Sequence, residues 1–202
     1  MATPAFIYAC DDLGPDRFTE LCGLLLGSRY KGFLLGGMGS DGGIDGEIDD
    51  ILGEWYPETG CALLTELIQP HQLVIFQFKH KVTARVGQKE ARRQLLALYT
   101  CTSQAHPCEL HRLLQNKKPG AYVLLTNVEV NAQFRTKFIR ACEQHCPAIS
   151  HYQIIGLDEL EMWVRSEVFV EDGINNVYST IIPNDIVDWL LSYPEKTLKW
   201  PF

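Results

Sequence analysis

The residues best suited to chemistry in this chain lie in two separate stretches. The first is a glycine-rich run that leads into Asp45, and the second is Gln77-Phe78-Lys79 at the end of an apolar run. If these stretches form neighbouring strands, the Asp45 carboxylate, the Gln77 amide oxygen and the Phe78 backbone carbonyl can converge on one cation. Oxygen ligands of this kind favour Mg²⁺ or Mn²⁺. The two stretches therefore predict a site for a divalent metal ion.

A lysine beside that site would add hydrolytic chemistry. Gln77 and Lys79 are two residues apart on a predicted strand, so their side chains project to the same face. The Lys79 ammonium group can then orient or deprotonate an attacking water and stabilise negative charge on phosphorus. The glycines before Asp45 have no Cβ and would let a phosphate backbone come close. The expected reaction is hydrolysis of a phosphodiester bond.

The glycine run, GGMGSDGGIDGEID at residues 36–49, also fits two other motifs. Its spacing matches the G-x-G-x-x-G fingerprint of dinucleotide-binding folds and one copy of the G-G-x-G-x-D calcium repeat. The fingerprint requires a helix after the glycines. Here Asp45, Glu47 and Asp49 alternate instead with apolar or small residues, which is the pattern of a half-buried strand. A single calcium repeat cannot build a stacked β-helix, so a strand that begins near Asp45 is the favoured interpretation.

The elements that must position these residues alternate between helices and strands. The order is helix, strands, then helix–strand–helix–strand–helix, which predicts an α/β fold with a mixed sheet and helices on both faces. The predicted helices cover residues 17–27, 86–99, 131–145 and 157–166, and the predicted strands cover residues 30–37, 43–49, 73–81, 121–127 and 151–156.

The formal net charge is −7, but the basic residues are concentrated in the middle of the chain. A solvated helix face is the usual explanation of such a run. On a helix that follows the Gln77-Phe78-Lys79 strand, however, the same cations can contact phosphates without reading the base sequence. The basic segment, residues 79–93, contains one acid, Glu90, and the candidate phosphate contacts Lys81, Arg85, Lys89, Arg92 and Arg93.

The seven cysteines are an odd number at scattered positions, which favours reduced thiols in a cytoplasmic protein. A zinc site is the alternative, although the chain has no C-x-x-C pair and residues 142–146 fall within a predicted helix. The chain has no run of about 18 apolar residues, so no membrane span is predicted, and its start does not resemble a signal peptide. The candidate zinc ligands are Cys101, Cys108, Cys142 and Cys146, with His111 or His145.

The pattern GSDGGID, then VIFQFK, then a basic helix resembles the PD-(D/E)XK nucleases. It is most similar to their Mrr-like restriction endonuclease branch, in which glutamine commonly replaces the acid of the E-x-K element. A leading helix with Phe18 looks like the family's first helix, and residues 122–127 resemble its later core strand. The resemblance covers roughly residues 13–165 and implies a restriction-endonuclease-like fold. It makes Asp45 the main metal ligand, Gln77 the second ligand, Lys79 the catalytic lysine and Glu20 an acid that holds a metal or orients the lysine.

The resemblance also implies a function. It predicts a nuclease domain at residues 1–168, dependent on Mg²⁺ or Mn²⁺ and acting on double-stranded DNA, and a linker or docking segment at residues 169–202. Family members are often effectors fused to sensor or ATPase modules, including prokaryotic antiviral defence proteins of the STAND type. A homo-oligomer driven by such a module would supply affinity that an acidic domain lacks. The neutral Gln77 leaves open a catalytically inactive nuclease fold used for nucleic-acid binding or assembly, and RNA cleavage is a further alternative.

Overall fold

The computed structural model describes residues 13–30, 32–36, 44–49, 73–100, 108, 110–111 and 118–168. These residues form one mixed five-stranded sheet with helices on both faces, which confirms the predicted α/β class. The predicted linker at residues 169–202 lies outside the described part of the chain. No described helix is long and apolar enough to cross a membrane.

The order of helices and strands along the chain is close to the order that the sequence predicts. The helices are α1 (Gly14–Arg29), α2 (Thr83–Val86), α3 (Gln88–Ala97), α4 (Ala132–His145) and α5 (Leu157–Val168). The strands are β1 (Phe33–Leu35), β2 (Gly46–Asp49), β3 (Leu73–Lys79), β4 (Ala121–Thr126) and β5 (His151–Ile155).

The strands lie side by side in chain order, β1-β2-β3-β4-β5. The first three pair antiparallel, so that Gly46 of β2 lies opposite Phe76 of β3. The last three pair parallel, with Phe78 opposite Leu125, and helical crossovers join them, as parallel pairs require. Strands β3 and β4 therefore end at the same edge of the sheet, which we call the carboxyl edge. The helices that follow these two strands begin near that edge.

Two apolar cores lie on opposite faces of the sheet. Alternate residues of β3 divide between them: Phe76 belongs to the core that contains residues of α1 and α5, and Ile75 to the core that contains residues of α3 and α4. Every residue of β4 is buried. A strand that is covered on both faces needs no polar alternation, which explains the apolar sequence of β4 up to Leu125. The carboxyl edge is thus held between two packed layers of helices.

A half-buried ionic network ties α4 to β5 and α5. The Arg135 guanidinium donates hydrogen bonds to the Ile154 carbonyl and to the Glu159 carboxylate, each at 2.6 Å. The other carboxylate oxygen of Glu159 accepts from the Gly156 backbone N–H at 2.8 Å, directly before α5 begins. Hydrogen bonds to ionised groups are stronger than neutral ones, so this network stabilises the position of α5 on the sheet.

Helix α1 extends beyond the predicted residues 17–27 at both ends. It begins at Gly14, with a proline in its first turn, where the missing N–H of Pro15 needs no partner. It continues past Gly27 to Arg29 and is followed by Tyr30, which is buried in the core beside α1. The burial of this tyrosine explains why the helix does not end at the glycine.

The helix predicted at residues 86–99 corresponds to α3, which begins two residues later, at Gln88, and ends two residues earlier, at Ala97. Gly87 separates α2 from α3, with φ of 75° and ψ of 156°. That conformation is essentially restricted to glycine. The predicted helix is therefore confirmed as α3, whereas the short helix α2, which precedes Gly87, was not predicted.

Candidate active site

Asp45 lies directly before β2 and contacts β3 at two points. Its backbone N–H donates to the Phe76 carbonyl at 3.1 Å. Its carboxylate oxygen Oδ2 accepts a hydrogen bond from the Phe78 backbone N–H at 2.6 Å. An ionised acceptor makes this a short, charge-assisted hydrogen bond. The carboxylate is therefore fixed against the end of β3, as the sequence predicts for two neighbouring strands.

The glycine at the start of the turn allows this placement. The Gly36 backbone N–H donates to the Asp45 carbonyl at 2.9 Å. A Cβ atom at position 36 would lie 2.5 Å from the Ile44 carbonyl oxygen, which is closer than real Cβ contacts allow. The sequence predicts that the glycines admit a phosphate backbone. At Gly36 the close neighbour is the chain's own backbone, and residues 37–43 lie outside the described part of the chain.

Phe78 and Lys79 complete the end of β3. The N–H and C=O of one strand residue point to the same side of the strand, so the Phe78 carbonyl, a predicted metal ligand, faces the side on which Asp45 lies. The Lys79 carbonyl accepts from the Thr126 hydroxyl of β4 at 2.7 Å, and its side chain is half-buried. The structure thus places the acid, the carbonyl and the lysine at the carboxyl edge.

Gln77 has a different environment from the one expected of a metal ligand. Its side chain is fully buried, and its Oε1 accepts from the hydroxyls of Tyr99, at 2.7 Å, and Tyr122. The two hydroxyl oxygens are 2.9 Å apart. A carbonyl oxygen has two lone pairs, so a cation could bind it only if a tyrosine hydroxyl moved away. The role of Gln77 as a metal ligand stays a prediction, and it requires that one tyrosine hydroxyl leave the Gln77 oxygen.

Glu20 lies on an exposed side of α1. The ring of Phe18, two residues earlier, is 5.6 Å from the His80 ring, measured between centroids, so this part of α1 lies beside the end of β3. Among the described residues, Glu20 makes no hydrogen bond or ion pair with either Asp45 or Lys79. Its predicted role as a metal ligand or lysine partner stays a prediction.

The basic segment continues from β3 at the carboxyl edge. There its backbone is bound by the side chain of Asn127, the residue directly after β4. Asn127 Oδ1 accepts from the Lys81 backbone N–H, and Asn127 Nδ2 donates to the Lys81 carbonyl, each at 2.7 Å. This pair of hydrogen bonds continues the β3–β4 pairing beyond both strands. Further along, Arg85 lies on α2 and Lys89 lies on an exposed side of α3.

The two arginines of α3 are engaged by acidic residues. Arg93 donates to both oxygens of Glu90, at 2.7 and 2.6 Å, although its side chain is 75% exposed. Hydrogen bonds from Arg93, and secondly from Gln94, lower the pKa of Glu90 from 4.5 to about 2. Arg92 donates to the Glu129 carbonyl at 3.3 Å and lies 3.7 Å from its carboxylate. As predicted phosphate contacts, both arginines are therefore partly neutralised.

The alternative zinc ligands lie in the core beside α3 and α4. Cys108, Cys142 and Cys146 are buried there, and the Cys108 Sγ is 3.8 Å from His111 Nδ1. Burial raises the pKa of the Cys142 thiol, and the nearby thiols of Cys146 and Cys108 add to the shift. Among the described residues, which exclude Cys101, no group of three or more His, Cys, Asp or Glu side chains could hold a metal ion.

Comparisons with family models, with curated proteins and with solved structures give no match for this chain. The resemblance to PD-(D/E)XK nucleases therefore depends on the residues themselves. The positions of Asp45 and Lys79 at the carboxyl edge are observed, whereas the activity that the resemblance implies stays a prediction.

Proposed function

We propose that this domain is a metal-dependent endonuclease that hydrolyses phosphodiester bonds of double-stranded DNA. The observation that carries the proposal is the Asp45 carboxylate, held by the Phe78 N–H at the carboxyl edge with Lys79 next along β3. Asp45 and Lys79 are two of the residues to which the resemblance assigns roles, and the Phe78 carbonyl is the backbone ligand expected between Gln77 and Lys79. The sheet order supports it as well, because the three strands that the resemblance names are direct neighbours.

The oxygen atoms at this edge fit a divalent cation whose coordination shell is completed by other ligands. Mg²⁺ is commonly bound through one or two carboxylates, with its remaining positions taken by water and substrate phosphates. Asp45 and the Phe78 carbonyl would hold Mg²⁺ or Mn²⁺, and Glu20 is the candidate second carboxylate. Gln77 would join them only if its oxygen lost a tyrosine hydroxyl. A cation bound there would polarise the scissile phosphate and stabilise charge on its oxygens.

The residues of the chain have separate tasks in this mechanism. Asp45 is fixed by its hydrogen bond and would hold the cation against which the reacting phosphate is placed. Lys79 stabilises negative charge on a phosphate oxygen and orients the water that attacks phosphorus in line with the leaving oxygen. Because the Lys79 backbone is bound to Thr126, its side chain starts from a defined point at the edge.

The proposed setting is an effector module of a larger, oligomerising defence protein in the cytoplasm, with a sensor or ATPase module as the driver of assembly. No disulfide joins the described cysteines, Cys22, Cys108, Cys142 and Cys146, which supports a reducing compartment. The acidic net charge of −7 supports a need for assembly, because a domain that binds DNA weakly gains affinity when several copies are linked.

A catalytically inactive nuclease fold that binds nucleic acid or assembles is the second candidate. Two observations favour it. The Gln77 oxygen is engaged by two tyrosines, and the described residues contain no cluster of three or more metal-binding side chains. This candidate predicts that the protein binds no Mg²⁺ or Mn²⁺ specifically.

The test is cleavage of plasmid and linear duplex DNA with Mg²⁺ or Mn²⁺, by the protein alone and by an artificially multimerised form. Asp45→Asn keeps an oxygen that can accept from the Phe78 N–H while removing the charge, and Lys79→Ala removes the ammonium group. Each should lower the cleavage rate by about 100-fold or more. The control variants Glu143→Gln and Lys118→Ala change exposed residues away from the carboxyl edge, near the end of α4 and just before β4, and should cleave as the wild type does.

Cleavage that survives both Asp45→Asn and Lys79→Ala would show that the activity arises elsewhere, and the proposal would be wrong. If no form cleaves, calorimetric titration with Mg²⁺ and Mn²⁺ decides between the two candidates. Binding that Asp45→Asn abolishes supports the nuclease, whereas the absence of binding supports the inactive fold.

A further inference from the structure

A wide cleft opens between the start of α3 and the start of α4. Its volume is about 920 Å³, and Gly87, Asn131 and Phe134 are among the residues that line it. The Gln88 side chain accepts from the Glu129 backbone N–H at 2.9 Å, which joins the start of α3 to the loop after β4. Since α3 follows β3 and α4 follows β4, both helices begin near the carboxyl edge, and the cleft lies there too. Along the chain, its lining begins at Val86, after the first residues of the basic segment.

The charged side chains that line this cleft are mainly cationic. They include four basic residues, Lys89, Arg92, Arg93 and Lys137, and one acid, Glu90. The chain as a whole has a net charge of −7, so the cleft has the opposite sign from the protein that surrounds it. Such a local positive field attracts polyanions even to an acidic protein.

The four cations are not equivalent. Arg93 is held by Glu90 and Arg92 by Glu129, so their charges are partly compensated within the protein. Lys89 and Lys137 are exposed, and neither forms a hydrogen bond or ion pair with another described residue. Two ammonium groups, one from each helix, are therefore open to a ligand in the cleft.

We propose that this cleft binds the phosphate backbone of a nucleic acid and that Lys89 and Lys137 are its main phosphate contacts. The inference extends the proposed nuclease function and rests on it for the identity of the polymer. Lysine is a point charge that can meet a phosphate without defined base geometry, which suits a contact that positions DNA rather than reads it. Lys137 lies outside the basic segment and enters this surface only because the fold brings α4 beside α3.

The experiment measures duplex DNA binding by fluorescence anisotropy over a range of salt concentrations, in EDTA. Lys89→Ala and Lys137→Ala should each weaken binding several-fold. Each should also reduce the slope of log K against log salt by about 1, and the double variant by about 2, because each lost phosphate contact releases one counterion fewer. Arg93→Ala should have a smaller effect, since Glu90 already neutralises that charge.

Lys118→Ala is the matched control, because Lys118 is an exposed lysine just before β4, at the opposite edge of the sheet. If Lys118→Ala and Lys137→Ala change duplex affinity and salt slope equally, only the overall charge matters, and Lys137 makes no phosphate contact in the cleft. Unchanged slopes in the lysine variants, or no duplex binding by the wild type, would also overturn the inference. A titration with inorganic pyrophosphate forms a separate arm. Saturable pyrophosphate binding that needs Lys137, without duplex binding, would assign the cleft to a small phosphate ligand instead.

The binding assay contains no divalent cation, so its result is independent of catalysis. A protein that binds DNA through Lys89 and Lys137 but never cleaves it would contradict the nuclease proposal and support the cleft. A protein that cleaves DNA in an Asp45-dependent manner, with binding unaffected by either lysine, would support the nuclease and refute the cleft.

Discussion

The buried group formed by Gln77, Tyr99 and Tyr122 leads to a quantitative prediction about stability. Tyr99→Phe or Tyr122→Phe alone removes one hydroxyl that donates to the Gln77 oxygen and leaves the other in place. The rings themselves remain, including the contact of Tyr99 with Phe138 at 4.9 Å between centroids. Each single substitution should therefore lower the free energy of unfolding by about 1 kcal/mol, the net worth of one hydrogen bond.

The double substitution should cost more than the sum of the two. It removes both tyrosine donors and leaves the fully buried Gln77 oxygen to bear the desolvation penalty, which is about 1–3 kcal/mol for such a group. Urea denaturation of the four proteins in a double-mutant cycle measures this excess. Tyr152→Phe is the control: its hydroxyl donates to the Cys146 carbonyl, so its effect should add simply to that of Tyr99→Phe.

Additive effects of Tyr99→Phe and Tyr122→Phe would refute the shared acceptor. The same proteins also test the metal-ligand role of Gln77. If its oxygen binds Mg²⁺, Tyr122→Phe frees a lone pair and should raise the affinity for the cation. An affinity that stays at the wild-type value would indicate that Gln77 only stabilises the core beside β3.

Three further predictions concern other parts of the structure. Gly87→Ala should lower the free energy of unfolding in urea by about 1–3 kcal/mol, because its backbone conformation is essentially limited to glycine. Arg135→Ala should lower it by about 2 kcal/mol through loss of charged hydrogen bonds, including that to Glu159, whereas loss of the exposed Arg93 should lower it much less; equal losses would contradict this. Glu90 has its pKa lowered from 4.5 to about 2, so the stability it adds is complete above pH 4.5 and lost as the pH falls to about 2. Thermal unfolding across that range should depend less on pH in Glu90→Gln than in the wild type, and equal dependence would contradict the ion pair.

Local patterns predicted most of the described fold. The apolar runs of β3 and β4 indicated buried strands, and α4 begins at its predicted position because Asn131 caps it, accepting from the Phe134 N–H at 2.8 Å. The contact between Asp45 and Phe78 also followed from element order. Asp45 lies directly before β2 and Phe78 lies near the end of β3, and both strands are recognisable in the sequence.

What the sequence could not predict depends on contacts between distant residues. Nothing in the spacing of Tyr99 and Tyr122 marks them as partners of Gln77, although a polar residue within a buried strand signals that some partner must exist. Lys137 was missed because it is separated from the basic segment by a whole strand. Helix α2 was missed because its four residues are too few to show a helical period, and the conformation of Gly87 is decided by backbone geometry, which charge periodicity does not report.

The two hydrogen bonds between Asn127 and the Lys81 backbone make this junction sensitive to chemical ageing. A carboxamide can donate and accept at once, but deamidation to aspartate leaves only acceptors. The new carboxylate would still accept from the Lys81 N–H, while its second oxygen would face the Lys81 carbonyl and repel it. A protein in which Asn127 has become aspartate should therefore loosen first where β3 passes into the basic segment, and faster hydrogen exchange at residues 81–83 would report the damage before global unfolding does.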